Sequence, residues 1–257
     1  MAKVRLDSLL AERGLFESRS RAAAAVMAGE VRVASRLASK PSQLVDPGVD
    51  VVVAAAPAYV SRGGLKLANA LDALGVPVEG RSCLDVGAST GGFTDCLLQR
   101  GAARVVALDV AYGELDYRLR NDARVTVIER TNARSVDSLP FPPSLIVIDV
   151  SFISLTKVLP AVVALAAPEF DCLAMVKPQF EVGRERVGKG GVVRDEALRR
   201  EAVAGVAACG VGLGCSVQGF APSGLPGPKG NLETFVWLAE GGRSPADWAA
   251  ALAEVAV

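Results

Sequence analysis

Leu84-Asp85-Val86-Gly87-Ala88-Ser89-Thr90-Gly91-Gly92-Phe93-Thr94 reads as the end of a buried strand, a glycine-rich turn and the first turn of a helix. Glycines let backbone adopt positive φ and approach a ligand closely. Free amides at a helix start can receive a carboxylate. The next apolar run, 105–109, ends on Asp109, where a carboxylate can bind both hydroxyls of a ribose. The spacing is not G-x-G-x-x-G and there is no P-loop lysine, so a nicotinamide pyrophosphate fits poorly. The methionine end of S-adenosylmethionine fits better. A glycine-rich turn without a ligand is the alternative.

Outward from this turn, strand candidates recur at 82–86, 105–109, 125–128, 145–149, 172–176 and 234–238, with helical stretches between most of them. That alternation predicts an α/β architecture: a Rossmann-like, doubly wound parallel sheet covered on both faces, over residues 63–242. A C-terminal helix is expected in 243–257, with Ser244 as its cap before Pro245. Four charged residues fall at element ends. Lys66 sits in a helical run, 65–74, before the first strand. Asp149 ends the run 145–148, Lys177 follows 174–176, and Glu233 precedes 234–237. Ligands of such sheets bind outside the carboxyl ends of the strands. For any one of the four, an ordinary surface charge is the simpler reading.

Residues 1–56 predict a separate small α+β unit, joined by a linker at 57–62. Leu6, Leu9, Leu10 and Ala11 make a helical stripe that stops at Gly14. Ser18 caps a second helix, 19–28, ended by Gly29. Val31 and Val33 alternate as a strand does, and so do Val49, Val51 and Val53 after the Asp46-Pro47-Gly48 turn. Up to Pro41 there are eight Lys/Arg against four Asp/Glu, in a chain whose 28 basic and 28 acidic residues otherwise cancel. The imbalance suits an anionic partner or a solvated helix face.

The composition excludes several classes. Histidine is absent, so Ser-His and Cys-His catalysis are out. The five cysteines form no C-x-x-C pair, so neither a structural zinc site nor a disulfide framework is expected, and no metal. Asp7, Glu12 and Glu17 interrupt any leader-like start, and the apolar runs, such as 161–167, are far short of the roughly 18 residues a membrane span needs. The expectation is a cytoplasmic protein without a membrane partner.

Two resemblances sharpen these readings. Arg5-Leu6-Asp7, Leu10, Gly14, Ser18-Arg19, Ala22, Gly29-Glu30-Val31, Val33 and Lys40-Pro41-Ser42 resemble the small RNA-binding module named after the ribosomal protein S-four. One departure is Ala34-Ser35, where that family usually has Asn-Gly; the strand turn should be weaker for it. From Val60 to Glu233 the chain resembles FtsJ-type ribose methyltransferases and, more closely, the TlyA family, once called hemolysins. The carrying segments are 61–67, the glycine-rich turn, 130–134, 149–155, 176–183 and 226–233.

The resemblance implies S-adenosylmethionine as cofactor and ribosomal RNA or ribosomal subunits as partner. The implied reaction is methylation of a cytidine ribose 2′-hydroxyl, on the small or the large subunit. Lys66, Asp149, Lys177 and Glu233 match the catalytic Lys-Asp-Lys-Glu set. Cofactor contacts are implied for Gly87, Ala88, Ser89, Thr90, Gly91, Gly92, Phe93, Thr94, Asp109, Asn132 and Ala133. RNA contacts are implied for Lys3, Arg5, Arg19, Lys40, Arg62, Arg130 and Arg134. Ala111 and Glu114 stand where a glycine and a glutamine are usual. Lys177 is the expected base, with Lys66 beside it as a cation that favours a neutral amine. The competing readings are a membrane-lytic protein, a small-molecule methyltransferase and an RNA binder without catalysis. The first lacks an amphipathic or spanning segment, the second does not explain the basic module, and the third leaves the four charged residues idle.

Overall fold

The computed structural model describes residues 3–27, 30–53, 58–244, 247–255 and 257. Two compact units are present, Met1–Ala58 and Tyr59–Val257. The expected helix end at Gly29, residues 54–57 of the connector, and Pro245 lie outside the described residues.

In the first unit the elements are β1 (Val4–Arg5), α1 (Leu6–Glu12), α2 (Arg19–Met27), β2 (Val31–Val33), β3 (Arg36–Leu37), β4 (Leu44–Val45) and β5 (Val51–Val53). Leu6, Leu9 and Leu10 of α1 pack on Ala22, Ala25 and Val26 of α2 and on Val31. The Ser18 hydroxyl accepts from the Arg21 amide at 3.3 Å, capping α2. β2 pairs with β5 and, through a two-residue turn, with β3. Ala34 and Ser35 form that turn with φ of +46° and +66°. A two-residue hairpin of this kind needs positive φ at both central positions, which costs a residue with a Cβ roughly 1–2 kcal/mol. The turn therefore forms without Asn-Gly, under strain. Ala34→Asn with Ser35→Gly is expected to slow hydrogen exchange of the β2–β3 amides by roughly fivefold. Unchanged exchange would show that the turn carries no strain.

Among its described residues the second unit holds seven strands: β6 (Ser82–Val86), β7 (Arg104–Leu108), β8 (Val125–Ile128), β9 (Leu145–Ile148), β10 (Asp171–Val176), β11 (Ser216–Pro222) and β12 (Thr234–Ala239). Their order across the sheet is β11-β12-β10-β9-β6-β7-β8. Side chains alternate between two cores. Leu84, Val106, Ile146 and Ala174 face one side with α5 (Leu159–Val163) and α6 (Glu196–Gly212). Cys83, Val105, Val147 and Leu173 face the other with α3 (Arg62–Leu74) and α4 (Gly92–Gln99). A sheet buried on both faces explains why its strands read as continuous apolar runs. The chain leaves β6 toward β7 on one side and returns to β9 on the other, so the strand order reverses next to β6, where open α/β sheets bind ligands.

Three features differ from expectation. The sheet is mixed: β12 runs antiparallel to both β10 and β11. β11, unforeseen, is an edge strand with a register shift between Val217 and Gly219 and a terminal Pro222; glycine and proline belong at edges and bulges and hide a strand from its pattern. The last helix, α7 (Trp248–Glu254), begins later than expected. Its cap is Asp247, whose side chain accepts from the Ala250 amide at 3.2 Å, in place of Ser244.

Candidate active site

Gly87 follows β6 with φ +86°, so close to the next strand that a Cβ would lie 2.6 Å from the Asp149 carbonyl oxygen. Only glycine fits there. Gly91, φ +95°, is the N-cap of α4, and its amide donates to the Ala88 carbonyl at 2.7 Å. Asp109, just past β7, braces the turn from the side. Its Oδ2 accepts from the Ser89 amide and its Oδ1 from the Ala111 amide, both at 2.7 Å.

A cleft of about 400 Å³ opens over the turn, lined by Gly87, Ala88, Ser89, Thr90, Gly92 and Phe93, and also by Ser61, Arg62, Lys66, Asp149 and Pro228. A second hollow shares Ala88 and Ser89 and is lined by Asp109, Ala111 and Glu114. Gly91, Thr94, Asn132 and Ala133, also expected at the cofactor, line neither hollow. Thr94 is wholly buried and donates its hydroxyl to Asp85 at 2.7 Å, under the turn. Gly91 is buried against Leu119 and Leu115. Asn132 caps a short 3-10 turn through its Oδ1, and Ala133 is part of the core. Beneath the turn, burial pushes the Asp85 carboxyl up to about 7; the Thr94 hydroxyl opposes this, and the Asp149 charge adds to it.

The four charged residues assemble at one edge of the sheet. Asp149 follows β9 and Lys177 follows β10, its parallel neighbour. Glu233 precedes β12, whose first residue, Thr234, pairs with Val176 at the end of β10. The reversal of β12 is what brings Glu233 to the carboxyl edge; in an all-parallel sheet a residue before a strand would sit at the opposite edge. Lys66 reaches the same place from α3. It is 7% exposed and Glu233 3%, and its ammonium donates to Glu233 Oε2. Lys177 Nζ lies 2.5 Å from Asp149 Oδ1 and donates to the Ser151 hydroxyl at 2.9 Å. The set is thus two ion pairs. Lys66 is paired with Glu233, and Lys177 with Asp149.

Ser151, Ser61 and Pro228 were not foreseen. Ser151 adjoins Asp149 in the run Asp149-Val150-Ser151, and that adjacency was its only signal. Among the residues expected at RNA, Arg62 lines the cleft and donates to the Pro226 carbonyl at 2.8 Å. Arg130, at φ +54°, lies 4.1 Å over the Tyr112 ring. Arg134 Nε donates to Asn132 Oδ1 at 3.3 Å. In the first unit Arg5 and Arg19 converge on Asp7 at 2.7 and 3.6 Å, and the Arg5 hydrogen bond holds that carboxyl down at about 2. Lys3 and Lys40 are exposed.

A switch-point glycine turn with a braced carboxylate thus lies beside two Lys–carboxylate pairs at the same edge of the sheet, the layout of an enzyme that binds a nucleoside-bearing cofactor. Residues 59–240 match the family of FtsJ-like methyltransferases and residues 4–51 match the S4 domain. The chain belongs to the FtsJ-like methyltransferases, and within them to the TlyA family. It is 50% identical over 240 residues to the 16S/23S rRNA (cytidine-2'-O)-methyltransferase TlyA of Mycobacterium tuberculosis, covering 92% of this chain and 90% of that protein. It is 43% identical over 235 residues to Hemolysin A of Brachyspira hyodysenteriae, covering 90% and 97%. A solved structure bearing the name hemolysin, from Streptococcus thermophilus, superposes with a TM-score of 0.75 at 40% identity, over 99% of this chain and 94% of that one. Membership of this class implies the use of S-adenosylmethionine. Among the described residues, no helix is long and apolar enough to cross a membrane.

Proposed function

We propose that this protein methylates the ribose 2′-hydroxyl of a cytidine in ribosomal RNA, in the cytoplasm, with S-adenosylmethionine held over the glycine-rich turn. The observation that carries the reading is the meeting of the Lys177–Asp149 and Lys66–Glu233 pairs at the sheet edge beside that turn. The site suits the cofactor. The two hollows meet at Ala88 and Ser89, so one extended ligand can lie across both.

When bound, S-adenosylmethionine supplies an electrophilic methyl group. The chain supplies position and a proton acceptor. A ribose hydroxyl is a weak nucleophile, and Lys177 Nζ, having first given up a proton to solvent, takes the hydroxyl proton as the oxygen attacks. Asp149, 2.5 Å away, stabilises the ammonium that results, and Ser151 fixes the direction of the amine. Lys66 and Glu233, nearly buried, orient the hydroxyl and keep the floor of the site rigid. The four-residue set needs no histidine, in keeping with a chain that has none.

Incubating ribosomal subunits with this protein and methyl-labelled cofactor is expected to place label on cytidine 2′-oxygens. Label on bases alone would contradict the reading. The cofactor half has its own check. Asp109→Ala removes a brace of the turn and a ribose partner. Charge-assisted hydrogen bonds contribute about 1.5–3 kcal/mol, so calorimetry should show affinity for S-adenosylmethionine weakened roughly 10- to 100-fold. An unchanged affinity would exclude Asp109 from the cofactor site.

A further inference from the structure

Two glycine-rich loops meet beside the Lys66–Glu233 pair. One, 183–194, carries Gly188, Gly190 and Gly191; the other, 226–231, carries Gly227 and Gly230. Asn231, 1% exposed, staples them together. Its Oδ1 accepts from the Val193 amide at 2.9 Å, its Nδ2 donates to the Gly191 carbonyl at 2.8 Å, and its own carbonyl accepts from the Gly227 amide at 2.8 Å. A buried amide is tolerated because these bonds satisfy it. The second loop is also fixed to the catalytic edge. Gly227 packs so tightly on Glu233 that a Cβ would lie 2.5 Å from its Oε1, and Arg62 donates to the Pro226 carbonyl. Pro228 and Arg62 line the same cleft as Lys66 and Asp149.

Among the exposed cations of these loops are Lys189, Arg194 and Lys229. A Cβ on Gly191 would lie 3.5 Å from the Lys229 ammonium, and one on Gly188 3.9 Å from Arg194 Nη1. None of the three forms an ion pair among the described residues, whereas Arg186 of the same loop is tied to Glu201 at 2.7 Å. In a chain of zero net charge, three uncompensated cations on rigidly stapled loops next to a catalytic edge call for an anion. A ribose within an RNA strand has a phosphate on each side, within one nucleotide of the reacting hydroxyl.

We propose that the stapled loops are a backbone clamp, in which Lys189, Arg194 and Lys229 hold phosphates flanking the ribose presented to Lys177. The inference rests on the ribosomal RNA reading and deepens it. Contacts of this kind position a strand without reading its sequence. Gly190 and Gly230, where a Cβ would meet nothing within 4 Å, leave room for phosphate to reach the backbone.

The test is methylation of ribosomal subunits by the full-length protein across a salt series, comparing wild type with Lys189→Ala/Arg194→Ala/Lys229→Ala. Each lost phosphate contact lowers the slope of log affinity against log salt by about 0.7–0.9. The triple variant should therefore show a slope lower by about 2 and an apparent KM for RNA raised tenfold or more. Its kcat at saturating RNA and its affinity for S-adenosylmethionine should match wild type. Lys189→Arg/Lys229→Arg should retain the wild-type slope. A triple variant with wild-type KM and slope would overturn the clamp alone, and so would a loss confined to kcat. A wild type that transfers no methyl group to ribosomal RNA would overturn the functional reading, and the clamp with it.

Discussion

Lys177→Ala is expected to bind S-adenosylmethionine and ribosomal RNA as wild type does, yet transfer methyl about 10²–10⁴ times more slowly in a single turnover. That is the usual contribution of a positioned acid–base group. The amine stands at the end of β10 with Asp149 at 2.5 Å and the Ser151 hydroxyl at 2.9 Å, and it does not line the cleft over the glycine turn. Its loss therefore removes a proton acceptor without removing a cofactor contact. Lys177→Arg separates two roles that alanine merges. A guanidinium keeps the positive charge beside Asp149 but stays protonated and cannot accept the hydroxyl proton. It should be nearly as slow as alanine. Near-normal turnover by Lys177→Arg would show that the residue acts only as a charge.

The second large effect is on stability as well as rate. Glu233→Ala should destabilise the methyltransferase unit by about 3–5 kcal/mol in urea unfolding, because it leaves the buried Lys66 ammonium without its partner. The Lys66 and Glu233 side chains are only 9% and 1% exposed, so water cannot readily replace the lost carboxylate. Lys66→Met/Glu233→Leu removes both charges together and should recover most of that stability, since apolar replacements of a buried pair are often neutral. It should nonetheless remain inactive. This contrast divides what the pair does for folding from what it does for chemistry. A Glu233→Ala protein as stable as wild type would mean that the pair is open to solvent.

The parts of this architecture that the sequence made legible share a physical cause. β6, β7, β8, β9 and β10 are apolar runs bounded by charges or glycines, since both faces of the sheet are buried, and such runs announce themselves. The direction of β12 was not legible, because periodicity records which residues are buried and is silent on which way a strand points. Only the connection records that: no helix lies between Pro222 and Thr234, so the antiparallel return was available to the chain. β1, β3 and β4 span two residues each, too short for alternation to register.

At the site, resemblance picked out Lys66, Asp149, Lys177 and Glu233, and all four lie at one edge. Which lysine pairs with which carboxylate depends on the reach of individual side chains across neighbouring elements, and the sequence does not record it. Thr94 and Ala133 belong to motif segments that border the site, but each points into the core. Motif membership locates a segment; which way a side chain faces is settled by packing.

The central claim is ribose methylation of ribosomal RNA by this site. The most direct measurement maps 2′-O-methyl cytidines in ribosomal RNA from cells with this protein, cells lacking it, and cells carrying only Lys177→Ala. At least one cytidine should be methylated with wild type and unmethylated in both other strains. An identical methylation map in all three would contradict the account.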